Sequence, residues 1–118
     1  MKKIIFYTYP KCSTCRKASK WLDKNKINYQ LIDITKESPS TKYLELALTQ
    51  FSFDIKKVFN IRGKSFRSID FDILGLKKER IIELLSNDGK LIKRPFLIIN
   101  ESKLIIGFNE AEYIANFK

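Results

Sequence analysis

The sequence predicts an α/β fold with a mixed sheet, assembled from an N-terminal βαβ unit and a C-terminal β-hairpin followed by a helix, with a helical lobe inserted over about residues 38–90. Three observations carry this reading. Two short β-rich runs flank an amphipathic helical pattern at the N-terminus. Near the C-terminus, the apolar runs Phe96–Ile99 and Leu104–Ile106 flank a polar turn. Between the two ends lie only helical patterns and loops. A length of 118 residues with 44% hydrophobic side chains suits one domain with one packed core.

Lys3–Tyr7 contains the run Ile4-Ile5-Phe6-Tyr7 and reads as a buried strand, broken by Tyr9-Pro10-Lys11-Cys12. From Thr14 to Asn25 the residues Cys15, Ala18, Trp21 and Leu22 recur at helical spacing. Tyr29–Ile34 is a second strand, and strand, helix and strand this close together imply parallel pairing with a right-handed crossover. Ser38-Pro39 supplies an N-cap and a first-turn proline for a helix running through Tyr43, Leu44, Ala47, Leu48 and Phe51. Asp54 caps a short helix over Ile55–Phe59. Asn60–Gly75 mixes basic and aromatic residues, with turn signals at Gly63 and Gly75. A further helix over Lys78–Ser86 ends at Asn87-Asp88-Gly89. Asn100-Glu101-Ser102-Lys103 forms the hairpin turn, and a helix over Asn109–Phe117 closes the chain. This is the thioredoxin-like order, with extra helices between its two halves.

Charge and cysteine content narrow the chemistry. The net charge is +10, but 18 of the 23 basic residues are lysines scattered along the chain. Such a distribution supports only weak, salt-sensitive attraction to polyanions, so direct nucleic-acid binding is the least supported reading. The N-terminal apolar run stops at Thr8, too short for a secretory signal, and no run approaches a membrane span; a cytoplasmic protein is expected. Two cysteines and no histidine exclude Ser-His and Cys-His catalysis and a four-ligand zinc site, so no metal or other resident cofactor is expected.

The pair Cys12-Ser13-Thr14-Cys15 falls where the first strand turns into the first helix. Backbone N–H groups and the positive end of the helix dipole favour a thiolate there, and Lys11 and Arg16 add positive charge. Cys15 lies on the buried helix face with Ala18 and Leu22. That asymmetry assigns Cys12 as nucleophile and Cys15 as resolving thiol. In thioredoxin-like folds an X-Pro bond ahead of the hairpin is typically cis and faces the cysteine turn. Arg94-Pro95 occupies that place here, which aims Arg94 at Cys12, where it could also hold an oxyanion or carboxylate.

Four segments carry a specific resemblance: Tyr7–Ala18, Asp54–Asn60, Ser86–Pro95 and Gly107–Glu110. Together they make the chain similar to the arsenate reductase/Spx family, and to its short arsenate reductase-like members with a C-x-x-C. The resemblance implies Cys12 as nucleophile, Pro95 as the cis proline, and Arg16, Arg94, Pro95 and Lys11 around the substrate. It implies reduction of arsenate or another oxidised substrate, with thioredoxin, glutaredoxin or glutathione as reductant. Glutaredoxin-linked arsenate reductases carry a histidine where this chain has Thr8. Of their three oxyanion arginines, only Arg94 is matched, the other two falling at Asn60 and near Gly107. The second cysteine matches the Spx branch instead. That branch implies the alternative, a redox-sensing regulator that binds the C-terminal domain of the RNA polymerase α subunit.

Overall fold

In the computed structural model, residues 2–118 are described, and the chain divides into two compact units. One comprises residues 2–33 and 94–118, the other residues 34–93.

The first unit is built on a four-stranded sheet with strand order β2-β1-β3-β4. Strand β1 (Ile4–Thr8) is buried along its whole length, as its unbroken apolar run requires. It pairs in parallel with β2 (Gln30–Asp33) and antiparallel with β3 (Phe96–Ile99), which in turn pairs antiparallel with β4 (Lys103–Ile106). Phe6 therefore lies between Leu31 and Leu97 in the sheet. Helix α1 (Ser13–Lys24) buries Cys15, Ala18, Trp21 and Leu22, the stripe its spacing predicts. Helix α6 (Glu110–Phe117) is capped by Asn109, whose Oδ1 accepts the Glu112 N–H at 3.0 Å. Its Tyr113 packs edge-on to Trp21 and Phe108, and the core here is Ile4, Phe6, Leu22, Leu97, Ile105 and these aromatics.

The hairpin turn is tighter than the four polar residues suggest. Lys103 belongs to β4 and pairs with Ile99, leaving Asn100-Glu101-Ser102 as the loop. Asn100 and Glu101 have φ of 51° and 58°. Asparagine tolerates that left-handed conformation, and Asn100 is held by exchanging two hydrogen bonds with the Lys3 backbone: its N–H donates to Lys3 O (2.8 Å) and its Oδ1 accepts the Lys3 N–H (2.7 Å).

The second unit is helical: α2 (Thr41–Gln50), α3 (Ile55–Val58), α4 (Lys64–Arg67) and α5 (Lys78–Asn87), with single 3₁₀ turns at Ile73–Gly75 and Gly89–Leu91. Helix α2 starts later than the Ser38-Pro39 signal suggests. Ser38 does not cap it; its hydroxyl donates to Leu85 O at 3.3 Å, and Ser40 takes the N-cap position. Asp54 caps α3 as expected, accepting the Lys56 N–H at 3.1 Å. Gly89 is buried against the chain just past β2: a Cβ there would meet Ile34 O at 1.7 Å, so only glycine fits.

Candidate active site

Cys12 is the N-cap residue of α1. Its extended backbone (φ −93°, ψ 115°) leaves its Sγ over the open N–H groups of the first turn, where it accepts the Cys15 N–H at 3.2 Å. The turn leading in is closed by the Cys12 N–H donating to Tyr9 O at 3.0 Å. Both cysteines are free thiols; Cys12 is half-buried, whereas Cys15 is 1% exposed.

Burial pushes the Cys15 thiol up to about 11, and its hydrogen bond to Cys12 acts in the same direction. Hydrogen bonds from Thr8 and the Tyr9 backbone pull the other way without prevailing. Cys15 is thus a protonated neighbour of an accessible sulfur at neutral pH. Cys12 is therefore the more accessible of the two sulfurs, and Cys15 the sheltered one.

The predicted cations take distinct places. Arg16 lies one residue beyond the pair with its backbone N–H on Cys12 O (3.1 Å), and its Nη1 donates to Pro10 O at 2.9 Å, bracing the turn. Lys11 is exposed to solvent on that turn. Arg94 is half-buried, and the guanidinium expected to face Cys12 lies over the ring of Tyr9, 5.0 Å from its centroid. Tyr9 is the residue whose carbonyl receives the Cys12 N–H, so Arg94 reaches the cysteine turn through an aromatic platform. Pro95 is buried behind it. The Arg94–Pro95 peptide is cis, and Pro95 O accepts the Gly107 N–H at 2.8 Å.

Two participants escape the sequence reading: Thr8, through its contact with the Cys15 thiol, and Tyr9, as the surface on which Arg94 rests. Neither has a spacing signal, because both roles arise from the turn's three-dimensional path. Among the described residues no three Cys, Asp or Glu side chains gather in a way that could hold a metal ion. Among the described residues no helix is long and apolar enough to cross a membrane. A cavity of about 530 Å³ in the helical unit is walled mainly by Phe53, Ile55, Ile61, Phe66 and Phe71 and is lined by neither cysteine.

A mixed sheet carrying a Cys-x-x-Cys pair at the start of its first helix defines a thioredoxin-like thiol redox fold. Residues 7–116 match the ArsC family, and the chain belongs to that family. The protein YusI of Bacillus subtilis, described as uncharacterized, is 36% identical over 97% of this chain and 98% of its own length. The global transcriptional regulator Spx of Listeria monocytogenes is 31% identical over 92% of this chain and 82% of its own. Among solved structures, that of "a possible arsenate reductase" from Streptococcus mutans matches with a TM-score of 0.88 at 36% identity, covering 99% of this chain and all of that one.

Proposed function

We propose that this ArsC-family protein is a thiol–disulfide oxidoreductase in which Cys12 is the nucleophile and Cys15 the resolving thiol. The observation that carries the reading is the pairing of a half-buried N-cap sulfur, Cys12, with a buried and protonated Cys15 that donates its backbone N–H to it. The Cys12 thiolate attacks a substrate disulfide, forming a mixed disulfide and releasing one substrate thiolate, which takes up a proton. Cys15 then gives up its proton and attacks Cys12 Sγ, releasing the second substrate thiol and leaving a Cys12–Cys15 disulfide. Two electrons pass to the substrate, and a thioredoxin, a glutaredoxin or two molecules of glutathione restore the dithiol. Arg94, Arg16 and Lys11 supply positive charge to receive a carboxylate or oxyanion next to the reacting sulfur, with Pro95 shaping the wall. Arsenate is the less favoured oxidised substrate, because Thr8, Asn60 and the neighbourhood of Gly107 stand where arsenate reductases of the glutaredoxin-linked type carry their histidine and two further arginines.

Replacing Cys15 by serine removes the second step. Under an oxidising challenge the Cys15→Ser protein should accumulate a mixed disulfide at Cys12, read as an intact-mass adduct that dithiothreitol removes. Absence of any adduct would overturn the reading.

A second reading rests on the regulators among the relatives, Spx and the Bacillus subtilis regulatory protein MgsR. In it the same cysteine pair is a switch, and the partner is the C-terminal domain of the RNA polymerase α subunit. Capture of that domain by the reduced or the oxidised chain supports it; no capture in either state removes it.

A further inference from the structure

The register of the sheet carries past its last paired residues. Strands β1 and β3 run antiparallel with Ile4 opposite Ile99 and Tyr7 opposite Phe96. Continued two positions, that register sets Tyr9 opposite Arg94, on the sheet face that Tyr7 and Phe96 share. Tyr7 and Phe96 meet edge-on with centroids 5.8 Å apart, and the next rung is the Arg94 guanidinium over the Tyr9 ring at 5.0 Å. The face of an aromatic ring attracts a cation electrostatically, and the attraction grows where the pair is partly withdrawn from water. Both Tyr9 and Arg94 are half-buried.

The ring is also held from its backbone side. Thr8, just before it, is paired with Asp33, and Pro10, just after it, disfavours a helical conformation at Tyr9. Tyr9 O accepts the Cys12 N–H at 3.0 Å, and Pro10 O accepts Arg16 Nη1 at 2.9 Å. The Tyr9 backbone also hydrogen-bonds to the Cys15 thiol. Residue 9 thus meets the cysteine turn through its main chain and Arg94 through its ring. An arginine that samples its rotamers freely spreads its charge over a wide volume, and a fixed ring face confines it.

We infer that Tyr9 is a positioning residue for Arg94: its ring confines the guanidinium beside the cysteine turn, so that Cys12 favours anionic over uncharged reaction partners. That role rests on the reading of Cys12 as the reacting sulfur, and concerns its charge preference rather than whether a disulfide is turned over.

Iodoacetate is compared with iodoacetamide at Cys12 of the reduced full chain, site by site by mass spectrometry. The ratio of the two rates divides out the ionisation of the thiol itself. Arg94→Ala should lower the ratio roughly threefold, the scale of one nearby charge in a largely solvated setting. Tyr9→Leu should lower it about as much, and Tyr9→Phe, which keeps the ring, should preserve it. The Tyr9→Leu, Arg94→Ala double variant should fall no further than Arg94→Ala alone. Lys20→Ala, which removes an exposed lysine of α1, should leave the ratio unchanged. NMR of the unaltered chain gives a second readout, because the Tyr9 ring current should move the Arg94 side-chain protons upfield. A ratio unmoved by Tyr9→Leu, losses that add in the double variant, or Arg94 protons at their ordinary shifts overturn the inference. The Cys15→Ser trap reads none of these quantities, so either test can fail while the other stands.

Discussion

At the scale of single residues, the two thiols differ by environment rather than by chemistry. Cys12 occupies a helix cap with access to solvent, while Cys15 sits under the turn, nearly inaccessible and protonated far above neutral pH. Alkylation of the reduced protein by iodoacetamide, resolved site by site by mass spectrometry, should label Cys12 at least tenfold faster than Cys15 at pH 7.5, roughly the margin expected between an accessible thiol and a buried one. The Cys15 rate should keep climbing as pH approaches about 11. Equal rates at both sites would contradict the asymmetry. Sequence spacing alone exposed the pair and the buried side of Cys15. It could not reveal Thr8 and Tyr9, whose contacts with Cys15 and Arg94 depend on how the turn doubles back.

At the scale of elements, the helix ends are the informative places. Helix α1 finishes in a paired hydrogen-bond pattern, with the Ile27 N–H on Leu22 O (3.0 Å) and the Lys26 N–H on Asp23 O (3.1 Å). This is a Schellman arrangement, and its left-handed residue is Lys26, with φ of 57°. Helix α2 ends the same way through Ser52 and Phe53. A side chain in that conformation costs about 1 kcal/mol that glycine avoids. Lys26→Gly should therefore raise stability by about 1 kcal/mol in urea denaturation, and a loss of similar size would show that the lysine side chain contributes more than its backbone costs.

The same termini explain what was and was not legible. The buried stripe of α1, the apolar run Ile4–Tyr7 of β1 and the hairpin strands are readable because their periodicities are those of their elements. Helix ends without glycine gave no stop signal. Helix α4 is a single turn with no buried residue, so Lys64-Ser65-Phe66-Arg67 carries no pattern to detect. The start of α2 was misplaced because Ser38 spends its hydroxyl on Leu85, a partner 47 residues away.

At the scale of the whole molecule, alkaline conditions expose the cost of two buried acids. Cys15 and Tyr113 both titrate above their ordinary values, chiefly because burial disfavours their anions, and the Tyr113 hydroxyl has no hydrogen-bond partner among the described residues. In the unfolded chain both release protons earlier. Between about pH 9 and 11 the unfolded state therefore binds fewer protons, and stability must fall as pH rises; below about pH 9 the full stability is present. The loss should be on the order of 2 kcal/mol in urea denaturation of the reduced protein, at roughly 1.4 kcal/mol for each pH unit of displacement. Tyr113→Phe should shrink it. A stability that stays level to pH 11 would refute the assignment.

The strand order has a consequence for the order of synthesis. Strand β1 finds β2 within the first 33 residues to be made, but its other edge belongs to β3, which arrives only after the intervening helical unit of about 60 residues has been made. During translation this fully buried strand therefore has one edge without its final partner for most of the chain's elongation, and the cysteine turn exists before Arg94 and Pro95 come to lie beside it. A nascent chain is a thiol pair on half a sheet, and the complete surroundings of that pair are among the last features the ribosome delivers.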